Sequence, residues 1–172
     1  MKITWIQRIL GATLVSAIIV ALAAGCTATK MVADHPLVEK NGQAAYATVY
    51  FIRPLTERAM GFPDNPLSIE FDEKKLLSLA KGEYTRIHMK PRETTTMTLK
   101  SLTAVGPAWT VKEMVKSRKW SFTAGATYYI VLKPVDGEFR GVYFTAEAVD
   151  WFTAKESVRQ LRAVDGAKRA PI

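Results

Sequence analysis

The amino-acid pattern predicts an all-β fold: an antiparallel β-sandwich of about seven or eight strands, with a short C-terminal helix and an N-terminal signal segment ahead of it. Three observations lead there. Runs of β-branched and aromatic residues recur through the middle of the chain, first at residues 45–53 (AYATVYFIR). Other runs alternate, so that Leu67, Ile69 and Phe71 share one face while Ser68, Glu70 and Asp72 share the other. Turn formers break these runs at short intervals, at Lys81-Gly82, Gly125 and Asp136-Gly137.

The chain starts differently. Residues 1–8 carry Lys2 and Arg8, residues 9–21 are apolar, and Leu22, Ala23, Ala24 and Gly25 lead to Cys26, the only cysteine. A basic start, a short apolar stretch and small residues are the marks of a secretory signal. The apolar stretch is short for a bilayer span, which takes about 20 residues. Residues 1–25 are therefore expected to be a signal peptide. The segment 22–26 resembles the bacterial lipobox, with Ala23 in the slot usually held by Leu. That resemblance implies diacylglycerol on the Cys26 sulfur, cleavage after Gly25 and acylation of the new amino terminus. A lone thiol in an exported chain has no disulfide partner and needs another role. The alternative is an uncleaved anchor helix over residues 9–29, with Cys26 a thiol near the interface. Three acyl chains would hold the protein permanently, where one gives marginal attachment. Thr27 follows the cysteine, so no Asp retention signal is present. In a diderm bacterium this implies an outer-membrane address facing the periplasm.

Residues 26–43 are polar, contain Pro36 and Asn41-Gly42, and show no useful period; they read as a lipidated tether. Residues 44–150 carry the sandwich. Strand 45–53 ends at Pro54, and residues 55–66 form a loop with Gly61, Pro63, Asn65 and Pro66. Strand 67–72 turns at 72–74 into a short strand, 75–80. Residues 84–90 alternate with Thr85, Ile87 and Met89 inward and Tyr84, Arg86, His88 and Lys90 outward. A turn at 91–93 is expected to make a hairpin with 94–101, bringing Lys100 near that outward face. Residues 111–119 fit a helical turn about as well as a strand. Strands at 120–124 and 127–133 flank Gly125, and Asp136-Gly137 predicts a tight hairpin to 139–145. Residues 151–172 form a C-terminal helix and tail. Thr153 and Glu156 have capping-box spacing, predicting a helix from 154 to about 163. The tail after Asp165-Gly166 is expected to fray.

Specific residues then become familiar. Residues 47–54 (ATVYFIRP), the Leu79-x-x-Gly82-x-Tyr84 turn and residues 122–130 (FTAGATYYI) occur in the order seen in a family of small bacterial lipoproteins catalogued as domain of unknown function 2846. The chain resembles that family over residues 44–149. The family's central hairpin tip usually carries Pro-Gly and a basic residue, where this chain has Pro91-Arg92-Glu93. Residues 111–119 look like an insertion. The resemblance implies a β-sandwich and a lipoprotein address, and brings no catalytic residues.

The chain carries a formal net charge of +8, with Lys112, Lys116, Arg118 and Lys119 as its densest patch. Export makes nucleic acid an unexpected partner and leaves lipid head groups, lipopolysaccharide phosphates and peptidoglycan carboxylates. Metal sites need clustered His, Cys or carboxylates, and the histidines are His35 and His88 alone. No glycine-rich phosphate loop or Gly-x-Ser-x-Gly elbow is present. Glu70 and Asp72 fall on an exposed face. No metal, no cofactor and no enzyme activity are expected.

Two groups of residues remain. Arg86, His88 and Lys90 share a face that could bind an anion, more strongly once His88 is protonated; a solvated sheet face is the simpler account of them. Tyr46, Tyr50, Tyr128, Tyr129, Tyr143, Trp120 and Trp151 suit core packing, with the terminal helix or a partner over the second face of strand 127–133. A cavity among Tyr50, Tyr128 and Trp120 would indicate a ligand carrier, and an exposed apolar strip a protein partner. The expected function is a non-catalytic protein-interaction or structural module, anchored in the membrane by lipid and meeting another envelope protein or polymer. The alternative is a binding module for an anionic small molecule, lipid or envelope polymer.

Overall fold

In strand β1, Ala47–Arg53, every residue is buried, on both faces. A half-covered strand would alternate, so two layers must enclose it. The computed structural model describes residues 36–39, 42–55, 65–106, 110–137, 141–165 and 171–172. The signal segment and Cys26 lie outside these residues, as does most of the 55–66 loop. Beyond β1 the strands are β2 (Leu67–Phe71), β3 (Lys74–Leu79), β4 (Glu83–Met89), β5 (Arg92–Val105), β6 (Thr110–Phe122), β7 (Thr127–Asp136) and β8 (Val142–Val149). Helix α1 (Trp151–Val158) and the short strand β9 (Arg162–Ala163) follow.

The strands form two sheets, ordered β8-β7-β1-β4-β9 and β3-β2-β5-β6. The sandwich and its short C-terminal helix are as expected, with nine strands among the described residues. The five-stranded sheet is mixed: β1 pairs antiparallel with β4, but parallel with β7, and β9 pairs parallel with β4. A parallel pair needs a long crossover. Here the whole second sheet lies between β1 and β7 in the chain and supplies it.

Inward residues of both sheets make the main core, including Val49, Phe51, Leu67, Ile69, Met97, Leu99, Phe122, Ile130 and Leu132. A second cluster covers the outer face of the five-stranded sheet, where Tyr50, Ile52, Tyr129 and Val131 meet Ala154 of α1, with Leu37, Trp151 and Leu161 packed around them. The helix is the cover expected for the second face of β7.

Several local expectations change. Residues 91–93 are not a hairpin tip: β4 and β5 belong to different sheets, so the chain crosses between layers there. Both edges of β4 are already taken, by β1 and β9. Residues 111–119, open between helix and strand, are strand: they belong to β6, which pairs with β5 from Val105↔Thr110 to Arg92↔Phe122. The Asp136-Gly137 hairpin joins β7 to β8, but its register closes at Asp136↔Val142, so the loop is longer than a tight two-residue turn. The helix begins at Trp151, because Asp150 caps it by accepting the Thr153 N–H at 2.7 Å. A carboxylate at the N-cap outcompetes the Thr153 hydroxyl as a start signal. The helix ends before 163 because Arg162 and Ala163 pair with Glu83 and Tyr84.

Both ends of the described chain are tied down. Within the expected tether, the Tyr50 hydroxyl donates to the Pro36 carbonyl at 2.9 Å and accepts the Val38 N–H at 3.1 Å, while the Tyr129 hydroxyl donates to the Val38 carbonyl. In the expected frayed tail, Ile172 donates to the His88 carbonyl (3.1 Å), accepts the Lys90 N–H (2.7 Å) and packs on the core.

Candidate functional site

The β1–β4 register places the predicted anion-binding residues. Tyr50 lies opposite Arg86 and Thr48 opposite His88. Arg86 is half-buried beside the Tyr50 hydroxyl; burial pushes that phenol up, and the Val38 N–H and Arg86 partly offset the shift. The His88 ring stacks on Tyr46, with centroids 4.1 Å apart. Lys90 lies just past the strand and is exposed. Arg86 and His88 thus share a face, as alternation requires, and each has an aromatic neighbour. Lys100 is not nearby. It sits on the other sheet and pairs with Glu70 at 2.8 Å, the contact that chiefly raises its pKa.

The aromatic residues divide between two layers. Tyr50, Tyr129 and Trp151 pack outside the five-stranded sheet, with Tyr50 and Tyr129 stacked at 5.5 Å. Trp120, Phe122 and Tyr128 pack in the main core, with Phe122 edge-on to Tyr128 at 5.1 Å. Tyr50 is therefore separated by its own sheet from Trp120 and Tyr128, and no cavity can open among the three.

The most exposed regular element is β6. Its thirteen residues form the edge of the four-stranded sheet and are exposed along most of their length. Cross-strand partners share a face, so pairing with β5 sorts its side chains. Lys112, Met114, Lys116 and Arg118 lie on the face of buried Thr103, Ser101, Leu99 and Met97. This row overhangs β8: Arg118 donates to the Ala146 carbonyl at 2.9 Å, and Lys116 sits 5.7 Å from the Tyr143 ring centre. Val111 and Val115 lie on the opposite face beside Leu102, and all three are about half-exposed, at 58%, 52% and 46%. The patch read as one cluster is thus split, with Lys119 across the strand from Lys112, Lys116 and Arg118. Sequence reading missed this edge because 111–119 was ambiguous between helix and strand.

Two buried charged residues, Arg53 and Glu83, were also missed. Arg53 is 2% exposed, donates to the carbonyls of Leu79 (2.6 Å) and Asn65 (2.8 Å), and lies 4.9 Å from the Phe144 ring centre. Its cross-strand neighbour Glu83, also 2% exposed, accepts the Ala80 N–H at 2.8 Å and pairs with Arg162. An arginine at the end of an apolar strand is a visible signal for such a site. These contacts join the 79–83 turn and β9 to β1, which is a structural task.

Among the described residues, no group of His, Cys, Asp or Glu could hold a metal ion, and no helix is long and apolar enough to cross a membrane. No protein-family model, curated protein or solved structure matches the chain.

Proposed function

We propose that this chain is a non-catalytic docking module of the bacterial cell envelope, lipidated at Cys26 and carried on the periplasmic face of the outer membrane. The observation that carries the docking role is β6, a long exposed edge with Lys112, Lys116 and Arg118 on one face and the half-exposed Val111 and Val115, on either side of Glu113, on the other. An unpaired edge offers backbone donors and acceptors to an added strand. Lys112, Lys116 and Arg118 favour an extended partner segment bearing carboxylates at alternate positions, and Leu102, Val111 and Val115 offer it apolar contact. The address is supported by the signal-like residues 1–25, by the lone thiol and by the resemblance to the lipoprotein family. Confinement at a membrane raises the effective concentration of a neighbour to the millimolar range for short linkers.

The test is cross-linking in intact cells from photoreactive residues at Val111 and Val115, with Phe152 on α1 as the control position. One discrete product from β6, mapped to an acidic extended segment and lost in Lys112→Glu/Lys116→Glu, supports the docking reading. Equal products from Phe152, or products indifferent to charge reversal, refute it. Mass spectrometry of residue 26 tests the anchor separately.

A further inference from the structure

A cleft opens between edge strand β3 and the end of β4. Its volume is about 350 Å³, at the lower end of small-molecule sites, which run from about 300 to 1,000 Å³. Phe71, Leu76, Met89 and Ile172 form its apolar floor, and Lys74, Lys75, Arg92 and the carboxylate of Asp72 stand at its rim, three cations to one anion.

The local backbone builds this arrangement. The β2–β3 register shifts between Ile69 and Glu70, where Ile69 pairs with Leu77 and Glu70 with Lys75, leaving Leu76 as an extra residue. Such a bulge re-aims a side chain, and Leu76 packs on the main core instead of alternating outward. Phe71 pairs with Lys74, so this lysine lies on the face of a buried phenylalanine. The turn between β2 and β3 places Asp72 and Glu73 at positive φ, 46° and 66°. Two such non-glycine residues in succession are uncommon and cost energy. The Asp72 carboxylate locks the turn by accepting the Thr96 N–H, the Thr95 hydroxyl and Arg92 Nη1, each at 2.9 Å. These donors, led by the Thr96 N–H, hold its carboxyl below the usual aspartate range. Asp72 thus fixes Arg92 at the rim through one nitrogen of a guanidinium that carries five N–H donors. The rim keeps a cationic excess over an apolar floor.

We propose that this cleft binds a single-chain anionic amphiphile, its hydrocarbon on Phe71, Leu76, Met89 and Ile172 and its head group between Lys74, Lys75 and Arg92. The floor offers apolar area that a chain can cover, whereas a bare inorganic anion would gain nothing from it. No residue of β6 lines the site, and it does not depend on the docking reading.

The experiment uses the full chain in phosphatidylcholine nanodiscs and a dodecyl phosphate carrying a diazirine on its chain. Labelling is mapped by peptide mass spectrometry. The expected labels fall on the 71–76 and 89–92 peptides. Unlabelled dodecyl phosphate or laurate competes, while dodecyltrimethylammonium and inorganic phosphate do not; whichever anion competes at lower concentration identifies the head group. Lys74→Glu/Lys75→Glu, both at exposed positions, weakens binding by about tenfold or more, two rim contacts being lost and reversed. Leu76→Trp fills the floor and abolishes labelling while circular dichroism stays that of the wild type. Labels elsewhere, equal competition by the cationic amphiphile, or labelling unchanged by charge reversal overturn the proposal.

Discussion

Replacing Tyr50 by Phe removes one hydroxyl and leaves the ring. That hydroxyl makes two of the hydrogen bonds that hold segment 36–38, one as donor to Pro36 and one as acceptor from Val38, beside the bond from Tyr129. A neutral hydrogen bond contributes about 0.5–1.5 kcal/mol net, so the pair contributes about 1–3 kcal/mol. The ring stack on Tyr129 survives, as does the Tyr129 bond to the Val38 carbonyl. The stranded groups reach water if the segment lifts, so the loss appears as local opening and not as global unfolding. The middle of that range, about 1.4–2 kcal/mol, raises the opening equilibrium constant about 10–30-fold. Native-state hydrogen exchange of the Val38 amide reads it directly. The expected result is exchange accelerated about 10–30-fold at Val38, with Phe51 and Ile130 in the core unchanged. An unchanged Val38 rate, or equal acceleration at Val38 and Ile130, refutes the reasoning. The consequence reaches function through chain length. With the anchor at Cys26, as proposed, about ten residues precede the docked segment and span at most about 35 Å. Releasing the segment to the start of β1 about doubles that reach.

Four further outcomes follow from the same structure. Burial pushes the Tyr129 phenol up to about 12 from 10.0, with Tyr50 and Glu39 adding to the shift. The folded state then holds this proton more tightly than the unfolded state, so stability is whole below pH 10 and falls as pH rises from about 10 toward 12. Denaturation across that window should show a steeper slope in the wild type than in Tyr129→Phe, where the raised Tyr50 phenol remains; equal slopes would refute the assignment. Gly125→Ala places a Cβ 2.5 Å from the Gly42 carbonyl oxygen at φ +72°; left-handed backbone alone costs about 1–2 kcal/mol, so the midpoint of urea unfolding should fall by at least that much, and an unchanged midpoint would contradict the packing. Asp150→Ala frays α1, seen as faster exchange at Thr153. The lowered Asp150 carboxyl, held chiefly by the Thr153 N–H, makes its contribution whole above the ordinary 3.8 and lost as pH falls through the lowered value. Arg53→Lys removes the Nη1 that donates to both the Leu79 and Asn65 carbonyls, and the guanidinium beside the Phe144 ring, and should cost about 2–3 kcal/mol in chemical denaturation, charged hydrogen bonds being worth about 1.5–3 each; a loss within 0.5 kcal/mol would place Arg53 outside the structural core.

Period-two alternation was enough to orient β2 and β4, because a strand buried on one face must put successive side chains on opposite sides. Leu67, Ile69 and Phe71 are buried as that rule requires, and Thr85, Ile87 and Met89 likewise. The large residues on both faces of β7 already implied a second cover, and α1 supplies it. What alternation could not reach was partner choice. A turn at 91–93 looks the same whether the next strand pairs back or crosses to another sheet; only the occupied edges of β4 decided it. The same holds for β6, whose mixed periodicity became a strand because β5 offered thirteen residues' length of unpaired edge. Residues 36–38 have no pattern of their own and are held by phenols from β1 and β7, distant in sequence. The bulge at Leu76 is likewise set by its neighbour's register. Local sequence thus determined which residues face a core, since that follows from chain geometry. The cleft, the basic edge and the docked segment arose only in three dimensions, because each joins side chains that hydrogen-bond pairing between distant strands brings together.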